Sequence, residues 1–129
     1  MSVGVLEHVN LTVKDPQATA AMLIDLFGWH IRWQGEALHG GFTIHVGSDS
    51  QYLAVYSGPG GEAQVAANSS YTQLGGLNHV AIVVDDLPAA RKRVVSAGFT
   101  PGEEQNYEPG HRFYFRDADN IEFEIVSYA

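Results

Sequence analysis

Apolar and polar residues alternate along His8-Val9-Asn10-Leu11-Thr12-Val13-Lys14-Asp15, and the same rhythm returns in His79-Val80-Ala81-Ile82-Val83-Val84-Asp85-Asp86. A period of two predicts strands, here Val5 to Val13 and Leu77 to Val84. Each copy opens on a histidine and reaches an aspartate seven residues later. The period then changes. Asp15-Pro16 starts a helix with Ala20, Leu23, Ile24 and Phe27 on one face and Gly28 as its stop; Asp86-Leu87-Pro88 starts another that ends at Ala97-Gly98. Extended chain is predicted for Trp29–Trp33, Phe42–Val46 and Tyr52–Tyr56 after the first helix. After the second it is predicted from Phe99 onward and for a hairpin, Arg112–Arg116 with Ile121–Val126.

The order strand, helix, strands therefore occurs twice, giving module 1 over residues 5–57 and module 2 over 76–128 of a single domain spanning 1–129. Residues 58–75, rich in Gly, Ser, Asn and Ala, read as a flexible linker. Two modules of this size are each short of an independent core, so they are expected to share an interior.

Strand parity sorts the side chains. With Val9, Leu11, Ile44, Val46, Leu53, Val55, Val80, Ile82, Phe113, Phe115, Phe123 and Ile125 turned toward the helices, the opposite face is polar and aromatic. His8, Asn10, Thr12, Thr43, His45, Tyr52, Ala54 and Tyr56 fall on it from module 1, and His79, Arg112, Tyr114, Glu122 and Glu124 from module 2. Such a face suits a ligand cavity.

Composition narrows the partners. A net charge of -8 with seven basic residues argues against nucleic acid, which requires clustered Lys and Arg to displace counterions. The longest apolar runs are strand-length, so no membrane span is expected. With no cysteine, disulfides and thiolate metal sites are excluded; Met1-Ser2-Val3-Gly4 lacks the features of a secretory signal, and the cytoplasm is the expected compartment.

Two histidines and a carboxylate on one face are a natural donor set for Fe, Zn, Ni or Mn. His8, His79 and Glu124 come from three different strands, so no short ligand motif exists and ordinary hydrogen-bonded histidines remain the alternative.

The repeated strand-helix-strand unit, Leu26-Phe27-Gly28-Trp29 at the end of the first helix, Leu77-Asn78-His79 opening the second copy, and Phe113 to Glu124 at the end resemble the vicinal oxygen chelate superfamily. That superfamily contains glyoxalases, epimerases, extradiol dioxygenases, fosfomycin-resistance transferases and bleomycin-resistance binding proteins. The resemblance implies an α+β fold of two βαβββ modules forming a cup-shaped mixed sheet, a homodimer, and a small-molecule ligand. It assigns metal-ligand roles to His8, His79 and Glu124, and places a fourth ligand of many members where this chain has Ala54. Alanine cannot ligate. Either a three-residue facial set with open positions holds the metal, or the metal is absent.

Two function classes follow from the resemblance. One is a metal-dependent lyase, isomerase or dioxygenase acting on an oxygen-chelating substrate. In it Tyr114, ten residues before Glu124 as in extradiol dioxygenases, and His45 and Glu122 are the catalytic candidates. Glu122 is more readily read as a rim carboxylate paired with Arg112 or Arg116. The other class is a metal-free drug-binding protein, favoured by Ala54 and by the acidic charge. Asn10, Tyr52, Ala54, Tyr56 and Arg112 would line the cavity in either case, with the loop residues Tyr71 and Tyr107 as candidate covers. His30, His39 and His111 fall at turns or strand edges and read as solvated. Nucleophilic catalysis lacks a candidate, since there is no cysteine and no Gly-x-Ser-x-Gly turn.

Overall fold

Both helices begin where their caps predict. Asp15 is extended and its carboxylate accepts from the Ala18 amide at 3.2 Å, Pro16 occupies the first turn, and α1 runs Pro16–Phe27. Gly28, at φ 70, closes it through an amide donated to the Ile24 carbonyl. In the second copy Asp86 accepts from the Ala89 amide at 3.0 Å and α2 spans Leu87–Ser96. These observations come from a computed structural model that describes residues 2–61, 70–107 and 109–129. The chain divides into two compact units, Met1–Gln64 and Val65–Ala129. Residues 62–69 of the expected linker lie outside the described residues; on either side of them Pro59–Gly61 and Ser70–Thr72 form single 3-10 turns.

Unit 1 contains β1 (His8–Thr12), α1, β2 (His30–Glu36), β3 (Phe42–Gly47) and β4 (Tyr52–Tyr56). Its sheet has the order β1-β4-β3-β2, with β1 parallel to β4 and the other pairs antiparallel. α1 packs on β3 and β4. Ala20, Leu23 and Leu26 are buried, as are Ile44, Val46, Leu53 and Val55, so the apolar parity set lies under the helix. Leu11 joins them, while Val9 is half-buried. Fully burying each of these aliphatic side chains contributes about 1.5–3 kcal/mol.

Unit 2 contains β5 (Val80–Val83), α2, β6 (His111–Arg116) and β7 (Glu122–Ser127) in the order β5-β7-β6, with α2 packed on β7. Its core is aromatic. Phe113 and Phe123 are wholly buried, and Phe123 stacks on Phe115 with ring centroids 5.3 Å apart. The β6–β7 turn is held by Asp117, whose carboxylate accepts from the amides of Asp119 and Ile121 at 3.0 and 2.9 Å, and burial pushes that carboxyl up from its ordinary value. The turn sets the register in which Tyr114 faces Glu124 and Arg116 faces Glu122.

Several expected strands are trimmed. β1 starts at His8 rather than Val5, and β5 at Val80 rather than Leu77, which leaves His79 immediately before the strand. Among the described residues the extended chain expected after Phe99 forms one bridge, Gln105 to Arg112, with amides donated in both directions at 2.7 and 3.0 Å. Pro101 carries no amide hydrogen and Gly102 has no side chain to pack, so this stretch is poorly suited to a ladder. Among the described residues no helix is long and apolar enough to cross a membrane.

Candidate functional site

In unit 2 the polar parity face converges on one carboxylate. Glu124 is buried, and its Oε2 accepts from Arg112 Nη1 at 3.0 Å. Its Oε1 accepts from the Tyr114 hydroxyl at 3.1 Å and lies 3.0 Å from His79 Nε2. Tyr114 also meets Tyr107, hydroxyl to hydroxyl, at 3.1 Å. That contact, burial and the neighbouring Glu124 push the Tyr114 phenol far up, so at neutral pH it remains a donor.

His79 is held on three sides. Nε2 faces Glu124, the Tyr114 ring meets its face edge-on at 5.6 Å between centroids, and Nδ1 lies 3.2 Å from the Tyr71 hydroxyl and 3.5 Å from Glu122 Oε2. Tyr71 donates to that same Glu122 oxygen, while the other carboxylate oxygen of Glu122 lies 3.2 Å from Arg116 Nη2. The rim pairing of Glu122 with Arg116 is thus present together with a contact to the histidine. Beside this network an open cavity of about 500 Å³ is lined by Phe99, Thr100, Tyr114, Arg116 and Glu122 among others.

Unit 1 repeats the layout with different side chains. Ladder register places Ala54 opposite both Asn10 and His45, as Glu124 lies opposite both Ala81 and Tyr114. Ala54 is therefore the register equivalent of Glu124, His45 of Tyr114, and Tyr52 of Glu122. The histidine partnership is preserved in altered form: His8 stacks on Tyr52 at 4.7 Å, and Tyr52 stacks on His45 at 4.5 Å. Glu7 lies 2.8 Å from His8 Nδ1 and accepts from the Tyr52 hydroxyl at 3.3 Å. A bulge in β2 between Ile31 and Trp33 brings Trp33 opposite His45, and the guanidinium of Arg32 sits 4.6 Å above the Tyr52 ring.

Burial, followed by the charges of His8 and Arg32, lowers the His45 pKa. A histidine whose folded value is depressed adds stability above its unfolded value, about 6.5, and that stability is lost as pH falls through the folded value. An NMR titration should therefore find His45 half-protonated at a lower pH than a free imidazole. Arg32→Gln should move the midpoint up only part of the way, because burial is the larger cause.

The predicted residues are thus distributed. His79, Glu124, Tyr114, Glu122 and Arg112 come together in unit 2, with Arg112 buried against Glu124 and its guanidinium 4.5 Å over the Tyr107 ring. His8, His45, Tyr52 and Ala54 neighbour one another in unit 1, Asn10 is exposed beside Ala54, and the Tyr56 hydroxyl donates to the Leu38 carbonyl. Sequence patterning does not pick out Tyr71 and Arg32 as partners of these groups. Tyr71 is readable only as a loop aromatic, and Arg32 reaches Tyr52 through a bulge that strand periodicity does not announce.

His79 Nε2 and Glu124 Oε1 are of the donor types a divalent ion accepts, and they stand 3.0 Å apart, in direct hydrogen-bond distance of each other. Arg112 occupies the other Glu124 oxygen, leaving Oε1 as a single donor atom. Among the described residues, however, no group of three or more His, Cys, Asp or Glu side chains is arranged to hold a metal.

Comparison with known proteins places these residues in context. The family model described as Glyoxalase/Bleomycin resistance protein/Dioxygenase superfamily matches residues 5–125. A glyoxylase/bleomycin resistance protein/dioxygenase domain from Frankia sp. EAN1pec is 22% identical, with a TM-score of 0.81 and 98% of each chain covered. TnmS3 from Streptomyces sp. CB03234, described as an antibiotic binding protein, is 15% identical with a TM-score of 0.75, over 100% of this chain and 99% of that one. A variant of the fosfomycin resistance protein FosX from Listeria monocytogenes, complexed with Mn(II) and 1S,2S-dihydroxypropylphosphonic acid, is 20% identical with a TM-score of 0.74, over 97% and 93%. At these identities the likeness shows the fold alone. No curated protein matches the chain.

Proposed function

Because this chain belongs to the glyoxalase/bleomycin resistance protein/dioxygenase superfamily, we propose that it is a metal-dependent enzyme acting on a small molecule that chelates through oxygen. The observation that carries this reading is the His79 Nε2 and Glu124 Oε1 pair, set 3.0 Å apart with the second Glu124 oxygen tied back by Arg112. His8 is the proposed third ligand, since it opens its copy of the repeat as His79 opens the other. Fe, Zn, Ni and Mn all accept imidazole and carboxylate donors, and one fold neighbour, FosX, is described as complexed with Mn(II). When bound, such an ion supplies Lewis-acid polarisation of substrate oxygens.

The chain's own residues would do the rest. Tyr114 donates to Glu124 Oε1 and fixes its orientation. Glu122, half-buried beside the cavity, is the residue we propose to move a proton to or from the substrate, in the manner of a lyase or isomerase. His45 and Tyr52 are proposed as cavity wall, with Asn10 and Tyr56 beside them, and the assembly we propose is a homodimer.

A second reading is favoured by two observations. Ala54 stands where a fourth donor would be, and the Arg112 ion pair already compensates the Glu124 charge. In that reading the protein binds a small molecule without metal; one fold neighbour, TnmS3, is described as an antibiotic binding protein.

Metal analysis separates the two. Protein purified without chelator or affinity tag should carry close to one divalent ion per chain, and His79→Ala and Glu124→Ala should each abolish it. Substoichiometric metal that neither substitution alters would overturn the enzyme reading and leave the binding protein.

A further inference from the structure

Resting on the reading of His45 and Tyr52 as cavity wall, and on no metal, we infer that the open face of the unit 1 sheet binds a planar aromatic carboxylate. The ring of that ligand stacks on Trp33 and His45, and its carboxylate meets Arg32. Each strand of the sheet contributes one ring to a row: His8 from β1, Tyr52 from β4, His45 from β3 and Trp33 from β2. Successive centroids are 4.7, 4.5 and 5.2 Å apart, the spacing of aromatic contacts. The row is open to water. Trp33 is 52% exposed, and His45 and Tyr52 are half-buried, while Ile44, Val46, Leu53 and Val55 on the other face are buried under α1.

The bulge in β2 gives this row a cation. Successive residues of a regular strand point to opposite faces, so Arg32 would leave the face on which Trp33 lies. Between Ile31 and Trp33, however, β2 advances two residues while β3 advances one. The guanidinium of Arg32 accordingly sits 4.6 Å over the Tyr52 ring while Trp33 meets His45, the re-aiming of a side chain for which bulges are used. Among the described residues that guanidinium has no hydrogen-bond acceptor and no ion-pair partner. Glu7, at the His8 end of the row, is taken up by His8 Nδ1 at 2.8 Å and by the Tyr52 hydroxyl at 3.3 Å. Five N–H donors in a fixed fork match a carboxylate. Burial keeps His45 uncharged at neutral pH, so it offers a ring face and Arg32 the charge. Trp33 is laid along its own strand: a Cβ on Gly35 would stand 2.9 Å from the indole, and glycine there admits the ring.

Naphthoate is a suitable probe, titrated into the full chain with chelator present and followed by NMR through the Trp33 indole N–H and the His45 ring. Saturable shifts at both are expected. Naphthamide, which keeps the ring and loses the charge, should bind about tenfold more weakly. Arg32→Gln should weaken naphthoate by about the same factor and remove its advantage over the amide, whereas Trp33→Leu should weaken both probes about fivefold. Comparison of the two probes on the native chain requires no variant to fold. Absence of a saturable shift at Trp33 would overturn the site together with the reading of this face as cavity wall. Shifts at Trp33 and His45 with equal affinity for acid and amide, or tighter binding of naphthylmethylammonium, would leave the wall and overturn the carboxylate class. Since chelator removes any metal, neither result depends on the occupancy of unit 2.

Discussion

Arg112→Met is expected to lower the unfolding free energy by about 3–5 kcal/mol, the range for removing one partner of a buried ion pair. Arg112 and Glu124 are each less than a tenth exposed, and the guanidinium Nη1 is 3.0 Å from Glu124 Oε2. Its Nη2 donates to the Pro109 carbonyl. Methionine fills much of the same volume, so the loss would come from the stranded carboxylate and the unmet carbonyl rather than from a void. Tyr114 and His79 still face Glu124 Oε1, which places the expected loss toward the lower end. Urea unfolding at pH 7 measures it. The double variant Arg112→Met, Glu124→Gln should recover most of the loss, because it no longer buries an uncompensated charge; a coupling near zero in that cycle would mean the pair is not what holds β6 to β7 at this point.

Arg112 also shows where reading from sequence stops. Parity puts it on the polar face with Tyr114 and Glu124, and it lies there, but parity ranks no residue on a face as wall or anchor. Which neighbour a long side chain reaches depends on register, and register is set by non-local pairing and by turns such as the one Asp117 holds. The local signals are legible for local reasons. Asp15, Pro16, Gly28 and Asp86 act within one helical turn of themselves, and the helix ends follow them. The period of two likewise sorts Ile44, Val46, Phe113 and Phe123 into the core.

What escapes such reading is non-local or irregular. The β2 bulge shifts Trp33 onto His45 without any break in residue type, and Pro101-Gly102 reduces an expected strand to a single bridge. Tyr71 meets His79 through a turn whose closure depends on the small size of Gly76. The family is legible because its signature is the repeat itself, and the repeat is a pattern in sequence before it is a pattern in space.

The same register equivalence supplies a reciprocal test. Ala54 occupies in unit 1 the place of Glu124 in unit 2, yet Ala54→Glu is expected to destabilise the protein by about 2–4 kcal/mol, the combined scale of overpacking and of burying a polar group without its partners. Glu124 is supported by a guanidinium from the β6 position two residues before Tyr114. The equivalent residue on β3 is Thr43, which is buried and short, and whose hydroxyl has no hydrogen-bond partner among the described residues. Tyr114 donates to Glu124, whereas its equivalent His45 already lies in a ring stack with Tyr52. Ala54 itself is 2% exposed, so a longer side chain must displace neighbours before it reaches water. Pairing Ala54→Glu with Thr43→Arg should regain part of the loss in thermal unfolding, since it restores the cation that Glu124 has. Equal stability of Ala54→Glu and the native chain would mean that a carboxylate at this register position needs no built support, and the role of Arg112 as that support for Glu124 would fall with it.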